Sequence, residues 1–201
     1  MEYYYFTGPD GSGKSTYIRL LEELLNERGL KTHYLWIRSP KIFSKPLMLY
    51  CRIMGYTKYK YINNVKYGIH EFYRSKFVSY VFPVVQLIDF NIRNFLNNRK
   101  IKKLKNINVI IYDRQALDTL ADLMVGTLRF DLHKRFIGKK LIKTLPKGIK
   151  PIVLDVDEDI IRKRKLDTLH DDNLATKIKV YNILQKDLKL IAINNNNNNL
   201  A

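Results

Sequence analysis

Short apolar runs alternate along the chain with longer runs in which apolar residues recur every three to four positions. The short runs predict strands at Glu2–Phe6, Thr32–Ile37, Asn108–Tyr112, Pro151–Val156 and Leu188–Ile193. The longer runs predict helices at about Lys14–Arg28, Val84–Leu104, Ala116–Leu128, Leu132–Leu145, Asp159–Leu166 and Leu174–Asp187. Such an alternation predicts an α/β fold with a mainly parallel sheet. Gly29 is placed to end the first helix.

Residues 40–83 interrupt this alternation. They are rich in Tyr, Lys and Asn, and they carry short helical patterns broken by Pro46, Gly55, Gly68 and Pro83. We interpret them as an insertion over the C-terminal edge of the sheet. The Asn-rich end of the chain, 194–201, is low-complexity polar sequence and predicts a disordered tail. One domain over 1–193 is therefore expected.

The run Gly8–Thr16 joins the first predicted strand to the first predicted helix and fits the phosphate-loop pattern G-x-x-x-x-G-K-[ST]. Glycines let the backbone N–H groups form a nest for phosphate oxygens, and the helix dipole adds to the attraction. In this motif Lys14 reaches the β- and γ-phosphates, and the hydroxyl of Ser15 binds Mg²⁺. The predicted triphosphate site comprises Gly8, Asp10, Gly11, Ser12, Gly13, Lys14, Ser15 and Thr16.

Composition narrows the class of protein without naming a substrate. Cys51 is the only cysteine among 201 residues, which excludes an internal disulfide and fits a reducing compartment such as the cytoplasm. We expect no secretory signal, because the N-terminus lacks a basic stretch followed by an apolar one. The longest apolar stretch, Phe77–Phe90, is too short and too polar to span a bilayer, so no membrane partner is expected.

The net charge of +17 supports two interpretations. One is binding of nucleic acid through its phosphates. The other is a solvated basic surface that also attracts anionic substrates. The lysines are widely spread and no Arg/aromatic stripe typical of single-strand binding is present, which favours the second interpretation.

A second group of candidate residues lies at the ends of predicted strands. Asp113 and Arg114 follow the strand Asn108–Tyr112, at the edge where open α/β sheets bind ligands. A carboxylate there holds the Mg²⁺ of a bound triphosphate, and an arginine grips a phosphate through two hydrogen bonds. Arg38 follows the second strand and precedes an extended Ser-Pro turn, which predicts it at the same edge.

A basic cluster at 162–165 follows an acidic run at 157–159. A solvated helix with ion pairs between residues four apart would explain it without any function. The other interpretation is a lid, about 157–173, whose cations close over the phosphates and exclude water.

The phosphate loop resembles that of the thymidylate kinase family, in which an Asp precedes Gly-Ser-Gly-Lys-Ser. Four further segments are similar to motifs of that family: Tyr112-Asp113-Arg114 with Asp118 to Asp122, Arg38-Ser39-Pro40, Leu154-Asp155-Val156 with Arg164, and Val180-Tyr181, where the family's Arg is missing. The resemblance covers most of the chain and thins between 40 and 90.

This resemblance implies a P-loop three-layer sandwich with a five-stranded parallel sheet, ATP with Mg²⁺ as donor, a nucleoside monophosphate acceptor, first of all dTMP, and a homodimer. It also implies roles for single residues. Asp10 lies near the acceptor sugar, Arg93 near the base, and Arg164, then Arg162, supplies the catalytic cation. The family's base-stacking aromatic falls on Asp89, so Phe90 is the nearest candidate.

Two alternatives remain from the sequence. The first is a phosphotransferase that acts on a deoxynucleoside or a polynucleotide 5′ end, for which Glu71 is the candidate base in the weakly matching region. The second is a nucleotide-binding ATPase that holds nucleic acid on its basic surface.

Overall fold

A five-stranded parallel sheet forms the centre of the computed structural model, which describes residues 1–37, 42–62, 65–165, 168–169 and 171–196. Its strands are β1 (Glu2–Thr7), β2 (Thr32–Trp36), β5 (Val109–Asp113), β6 (Lys150–Asp155) and β7 (Ile191–Asn194), in the spatial order β2-β5-β1-β6-β7. A separate antiparallel hairpin joins β3 (Thr57–Ile62) to β4 (Val65–His70). The predicted parallel α/β sheet is confirmed.

Helices cover both faces of the main sheet. They are α1 (Lys14–Glu27), α2 (Ser44–Ile53), α3 (Lys76–Ile101), α4 (Ala116–Thr127), α5 (Phe136–Ile142), α6 (Glu158–Arg164) and α7 (Leu174–Leu188). Every residue of β5 is buried, and its side chains alternate between the two faces. Val109 and Ile111 pack on the side of α1, whereas Ile110 and Tyr112 join the larger core formed with α3, α4 and α7.

The first helix ends where the sequence predicts. Gly29 follows it with φ of 73°, and its N–H donates to the carbonyl of Asn26 at 2.9 Å. Leu30 N–H reaches back to the carbonyl of Leu25 at 3.0 Å, so the last turn is closed by hydrogen bonds. The predicted role of Gly29 is confirmed.

Helix α3 begins at Lys76, eight residues before the predicted start at Val84. Pro83 was expected to end the insertion but lies inside the helix. A proline has no N–H to donate to the carbonyl four residues earlier. That carbonyl belongs to Ser79, and it accepts a hydrogen bond from Arg129 Nη1 at 3.3 Å. A tertiary contact therefore replaces the missing helical bond and allows the helix to continue.

Short helical patterns were predicted across 40–83, and α2 is such a helix, but the hairpin formed by β3 and β4 corrects the prediction for 57–62 and 65–70. Aromatic and apolar residues alternate with lysines from Thr57 to Ile62, which is the period of a strand. The residues between the strands are two asparagines, a typical turn pair. The sequence signal for a hairpin was therefore present.

The helix predicted over Leu132–Leu145 is divided. A 3₁₀ turn covers Leu132–Lys134, Arg135 is extended, and α5 follows as a separate helix. Close packing of the two pieces explains the break. A Cβ added to Gly138 would lie 2.1 Å from the carbonyl oxygen of Leu132, so only glycine allows this approach.

Candidate active site

The phosphate loop lies between β1 and α1, at the C-terminal edge of the sheet. Gly8, Gly11 and Gly13 have φ angles of 146°, 88° and 95°, which favour glycine. A Cβ on Gly8 would also lie 2.9 Å from the carbonyl oxygen of Leu154 on β6. The backbone thus bends tightly against the neighbouring strand before it enters α1.

Several N–H groups of this loop find no acceptor among the residues that the structure describes. Within the described ranges, no backbone or side-chain acceptor is found for the amides of Gly11, Gly13, Lys14 and Ser15. The last two amides belong to the first turn of α1, where N–H groups carry the positive end of the helix dipole. Such a group of amides fits anionic oxygens, as the sequence motif predicts.

Lys14 is folded over the loop and is only 7% exposed. Its Nζ donates to the carbonyl oxygens of Gly8 and Pro9, both at 2.8 Å. Burial lowers the pKa of Lys14, and the nearby carboxylate of Asp10 partly offsets this shift. The ammonium group is therefore anchored on two loop carbonyls and adds positive charge to the loop.

Asp10 in the loop forms an ion pair with Arg114, the residue after β5. Burial alone would raise the pKa of Asp10, but the positive charges of Arg114 and Lys14 outweigh it and lower the pKa to about 2. Burial opposes the charged form of Arg114 as well, yet Asp10 and Asp118 raise its pKa overall. Arg114 has φ of 65°, a strained backbone for a residue with a Cβ and a feature found at functional sites.

Asp113 is buried at the end of β5, opposite Phe6 of β1 and Trp36 of β2. One carboxylate oxygen accepts a hydrogen bond from the hydroxyl of Tyr34 at 2.7 Å. Burial raises the pKa of Tyr34, and this hydrogen bond raises it further, so the phenol keeps its proton. The other carboxylate oxygen of Asp113 accepts no hydrogen bond from the residues that the structure describes.

The donor set near the loop fits Mg²⁺. Among the described residues no group of three or more His, Cys, Asp or Glu is placed to hold a metal. Mg²⁺ prefers oxygen ligands and usually combines one or two protein groups with substrate phosphates and water. The carboxylate of Asp113 and the exposed hydroxyl of Ser15 are donors of this type. They would hold a metal that arrives with the nucleotide.

A buried hydrogen-bond network lies beneath the loop and centres on Asp118 of α4. Its carboxylate accepts from the hydroxyls of Tyr5 at 2.5 Å, Thr7 at 3.0 Å and Tyr181 at 3.0 Å. It also accepts from the backbone N–H of Gln115 at 2.9 Å and so caps its own helix. Asp118 thus joins β1, α4 and α7 directly under the site, and sequence reasoning did not assign it this role.

A second group of charges lies between α4 and α7. Lys177 pairs with Asp171 at 2.7 Å, and its positive charge also acts on Asp10 and Asp122. Desolvation of the Asp122 carboxylate raises its pKa, while the positive charges of Lys177 and Arg114 lower it. Sequence reasoning missed Lys177, because an isolated lysine on a helix gives no signal of its own.

Helix α6 packs against the loop, as a lid would. A Cβ on Gly11 would lie 3.0 Å from Ile161 Cγ2 and 3.3 Å from Lys165 Cβ. The guanidinium of Arg162 makes its contacts within the lid segment. It donates hydrogen bonds to Glu158 Oε1 at 2.6 and 2.9 Å and to the carbonyl of Thr168 at 2.6 Å. These contacts make Arg162 an internal support of the lid in this structure.

Arg164 is the last residue of α6 and is half-buried. The neighbouring Lys165 lies near enough to Asp10 to lower the pKa of that carboxyl, although the larger effects on it are burial and Arg114. The C-terminal end of the lid helix therefore carries positive charge toward the loop.

The end of β7 also contacts the loop, which corrects the prediction of a disordered tail from residue 194. Asn194 is the last residue of β7, and Asn195 is buried. The backbone N–H of Asn195 donates to Asp155 at 2.9 Å, and its side chain donates to the carbonyl of Ser12 at 3.0 Å. Polar composition suggested disorder, but Asn194 pairs in a strand and Asn195 has hydrogen-bond partners that only the fold provides.

Asn196 continues this contact to the start of the lid. Its side-chain oxygen accepts from the backbone N–H of Asp157 at 2.9 Å, and its side-chain nitrogen donates to the Asp157 carboxylate at 2.9 Å. Residues 197–201 of the predicted tail lie outside the described residues.

The residues predicted for the acceptor side differ in what the structure shows of them. Arg38 lies outside the described residues, but Ile37 donates its N–H to the carbonyl of Asp113 at 3.0 Å, so the chain before it runs along the same sheet edge. Phe90 is 0% exposed in the core and has no free ring face, which corrects its prediction as a base-stacking residue. Arg93 lies exposed on α3, where its role stays a prediction.

Asp89 occupies the position where the resemblance places an aromatic, and it has a structural contact instead. Its buried carboxylate accepts from the N–H groups of Ile42, Phe43 and Ser44 at 2.7 to 3.0 Å and from the Ser44 hydroxyl at 2.7 Å. The carboxylate therefore caps α2 from a different helix.

Together, the fold and the loop geometry define an α/β protein of the P-loop class, with the glycine-rich loop at the C-terminal edge of its sheet. No family model and no curated protein matches the sequence. The structure is similar to the crystal structure of thymidylate kinase from Ehrlichia chaffeensis, with a TM-score of 0.52 over 98% of this chain and 92% of that one, at 14% identity. The chain thus has the P-loop kinase fold of that thymidylate kinase.

Within the described ranges, no helix combines the length and the apolar character needed to cross a membrane.

Proposed function

We propose that the protein transfers the γ-phosphoryl group of ATP to a nucleoside monophosphate, with dTMP as the acceptor that the sequence resemblance favours. The observation that carries this proposal is the ion pair of Asp10 with Arg114 beside Lys14. It brings an arginine from the end of β5 into contact with the triphosphate loop. An arginine at this position can hold an acceptor phosphate next to the γ-phosphate of the donor.

The donor would bind on the loop amides, with Lys14 on its β- and γ-phosphates. Ser15 and Asp113 would hold Mg²⁺, which when bound neutralises charge on those phosphates. Arg114 and Arg38 would grip the acceptor phosphate. Its oxygen forms a new bond to the γ-phosphorus while the bond from that phosphorus to the ADP oxygen breaks. No general base is needed, because the attacking oxygen is already ionised.

Asp10 is suited to a sugar contact. A carboxylate with a pKa near 2 is ionised at every physiological pH, so it accepts hydrogen bonds and cannot donate one. A hydroxyl on the acceptor sugar would be a matching donor. Arg164 is our first candidate for the cation that compensates charge during transfer, and Arg162 stays the second.

The nucleoside kinase alternative finds little support around Glu71. This carboxylate pairs with Lys58 at 3.1 Å and with Arg74 at 3.2 Å. The hydrogen bond from Lys58 is the largest effect and lowers the pKa of Glu71, with Arg74 acting in the same direction. A carboxylate with a lowered pKa is a poorer proton acceptor for a sugar hydroxyl.

A panel of nucleoside monophosphates and nucleosides with radiolabelled ATP, followed by product separation, tests the proposal. We expect transfer to at least one monophosphate, loss of it in Lys14→Ala, and retention in the matched control Lys102→Ala at the opposite edge of the sheet. Charge reversal at Arg38 should raise the acceptor KM and leave the ATP KM unchanged. Transfer only to nucleosides, or normal turnover in Lys14→Ala, would show that the proposal is wrong.

We also propose that the chain forms a homodimer. We further propose that it acts in nucleotide biosynthesis and is located in the cytoplasm. Helix α3 exposes an apolar stripe whose members are three, four or seven residues apart: Phe77, Tyr80, Val84, Ile88 and Phe95. Such a stripe lies on one side of a helix, and a symmetric pair of helices would cover it. Sedimentation analysis of Val84→Arg, compared with Arg19→Ala on α1, should give monomers only for the first variant.

A further inference from the structure

Lysines gather at the N-terminal edge of the main sheet, opposite the phosphate loop. All five strands are parallel, so the residues that enter each strand meet at one edge. We call this set the basic edge: Lys31 before β2, Lys102, Lys103 and Lys105 before β5, Lys147 and Lys150 at the start of β6, and Lys189 before β7. The sequence alone distributes them over 159 positions, from 31 to 189.

Strand order brings distant parts of this set together. The lysines before β5 and those at the start of β6 lie on either side of β1, although more than forty residues separate them in the chain. The backbone N–H of Lys31 donates to the side-chain oxygen of Asn108, and the N–H of Asn108 donates to the carbonyl of Lys31, both at 2.9 Å. These hydrogen bonds join the entries of β2 and β5. Neighbouring strands lie about 4.8 Å apart, so five strands give an edge about 20 Å long.

The positive charge of this edge is not neutralised locally. All seven lysines are exposed, and in the part of the chain that the structure describes none of them forms an ion pair. The segments 90–112 and 132–154, which lead into β5 and β6, contain no Asp or Glu. The acidic residues closest in sequence to the strand entries are Glu2 in β1, Glu27 at the end of α1 and Asp187, two residues before Lys189. Asp187 pairs with His133 and Lys134.

The chemistry of the edge favours a phosphate backbone. Duplex DNA carries one negative charge per about 1.7 Å of axis, so a segment about 20 Å long carries about twelve phosphates, and the edge faces those on one side of it. Lysines bind phosphates as point charges and do not read bases. A membrane surface would also require exposed apolar anchors. Ile107, Leu145 and Ile149 at these entries pack against the core, and the exposed Met1 and Ile191 lie two strands apart and form no continuous anchor.

We propose that the basic edge binds the sugar–phosphate backbone of a nucleic-acid duplex without sequence preference. The edge lies away from the phosphate loop, so duplex binding and phosphoryl transfer would occur on opposite sides of the sheet. The proposal goes beyond the proposed function and does not depend on it, because an inactive Lys14→Ala protein should bind the duplex as the wild type does.

Fluorescence anisotropy with a labelled 20-base-pair duplex of mixed sequence, titrated with the full chain between 50 and 200 mM KCl, tests the proposal. We expect log K to fall linearly with log salt. The triple variant Lys102→Gln, Lys103→Gln, Lys105→Gln should reduce that slope by about 2.7, at about 0.9 per phosphate contact, and weaken binding more than tenfold at 100 mM. The triple variant at Lys147, Lys150 and Lys189 should do the same.

A matched control removes three exposed lysines elsewhere, Lys45, Lys58 and Lys76, and should change binding less than about threefold. Both edge variants should keep the wild-type unfolding midpoint and kinase rate. Duplex RNA in place of DNA should also bind, because its backbone carries the same charges. Absence of binding at 50 mM KCl, equal loss in the control variant, or tighter binding to vesicles with 30% phosphatidylserine than to the duplex would overturn the proposal.

Discussion

Replacement of Asp89 by Asn tests how strongly one buried carboxylate holds the start of α2. The Asp89 side chain is 0% exposed and accepts four hydrogen bonds from Ile42, Phe43 and Ser44. An amide of the same shape keeps one oxygen acceptor, but it turns the other oxygen into an NH₂ group that points at N–H donors. At least the short bond to Phe43 N–H, or the three bonds on the other oxygen, must then be lost.

The expected cost follows from these bonds. Hydrogen bonds to a charged group contribute about 1.5 to 3 kcal/mol each. Ile42 and Phe43 are exposed, so water can satisfy part of what the amide loses. We therefore expect the free energy of unfolding to fall by about 2 to 3 kcal/mol. For a domain of this size, that corresponds to a decrease in Tm of about 5 to 10 °C.

Urea unfolding followed by circular dichroism measures this loss, with Glu23→Gln on the exposed face of α1 as the matched control. Because Ile42 directly follows residues 38–41, the variant should also raise the acceptor KM several-fold at an unchanged ATP KM. Ser44→Ala removes only the hydroxyl bond and should cost about 1 kcal/mol. A loss below 0.5 kcal/mol in Asp89→Asn would refute the reasoning.

Three further predictions concern the loop and the core. Asn195→Ala removes the donor to Ser12 and should raise the ATP KM about three- to tenfold at unchanged acceptor KM, measured by steady-state kinetics. Gly138→Ala forces a methyl group to within 2.1 Å of a carbonyl oxygen and should lower the free energy of unfolding by more than about 2 kcal/mol in urea titrations. The pKa of Asp10 is about 2 in the folded protein, against 3.8 for an ordinary aspartate, so its pairing with Arg114 stabilises the protein above pH 3.8. This stabilisation is lost as the pH falls toward 2. Because Asp10 is 43% exposed, we expect only about 1 kcal/mol, seen as a stability difference between wild type and Arg114→Gln at pH 6 that disappears near pH 2.

Local sequence patterns determined most of the elements of this fold. The buried strand β5, the phosphate loop and the glycine that ends α1 each depend on residues close together in the chain. Glycine at Gly8, Gly11 and Gly13 is required by backbone angles that other residues adopt poorly, so the motif specifies its own conformation. The positions of Lys14 and Asp113 follow from that loop and from the end of a strand.

The tertiary structure decided the elements whose partners are distant in sequence. The continuation of α3 through Pro83 depends on Arg129, about fifty residues away. The sequence resemblance placed Asp89 where the family has a base-stacking aromatic, whereas in the structure its carboxylate binds the start of α2. Asn195 looked like disordered tail, yet it supports the loop carbonyl of Ser12 from the far end of the chain.

The basic edge shows the same division on the surface. The sequence determined the net charge of +17, and its wide spread favoured a diffuse solvated surface. Strand order decided that seven of the lysines lie along one edge. The physical reason is that composition and periodicity report what each residue prefers locally, whereas hydrogen bonding and charge act through space between residues that only the folded topology brings together.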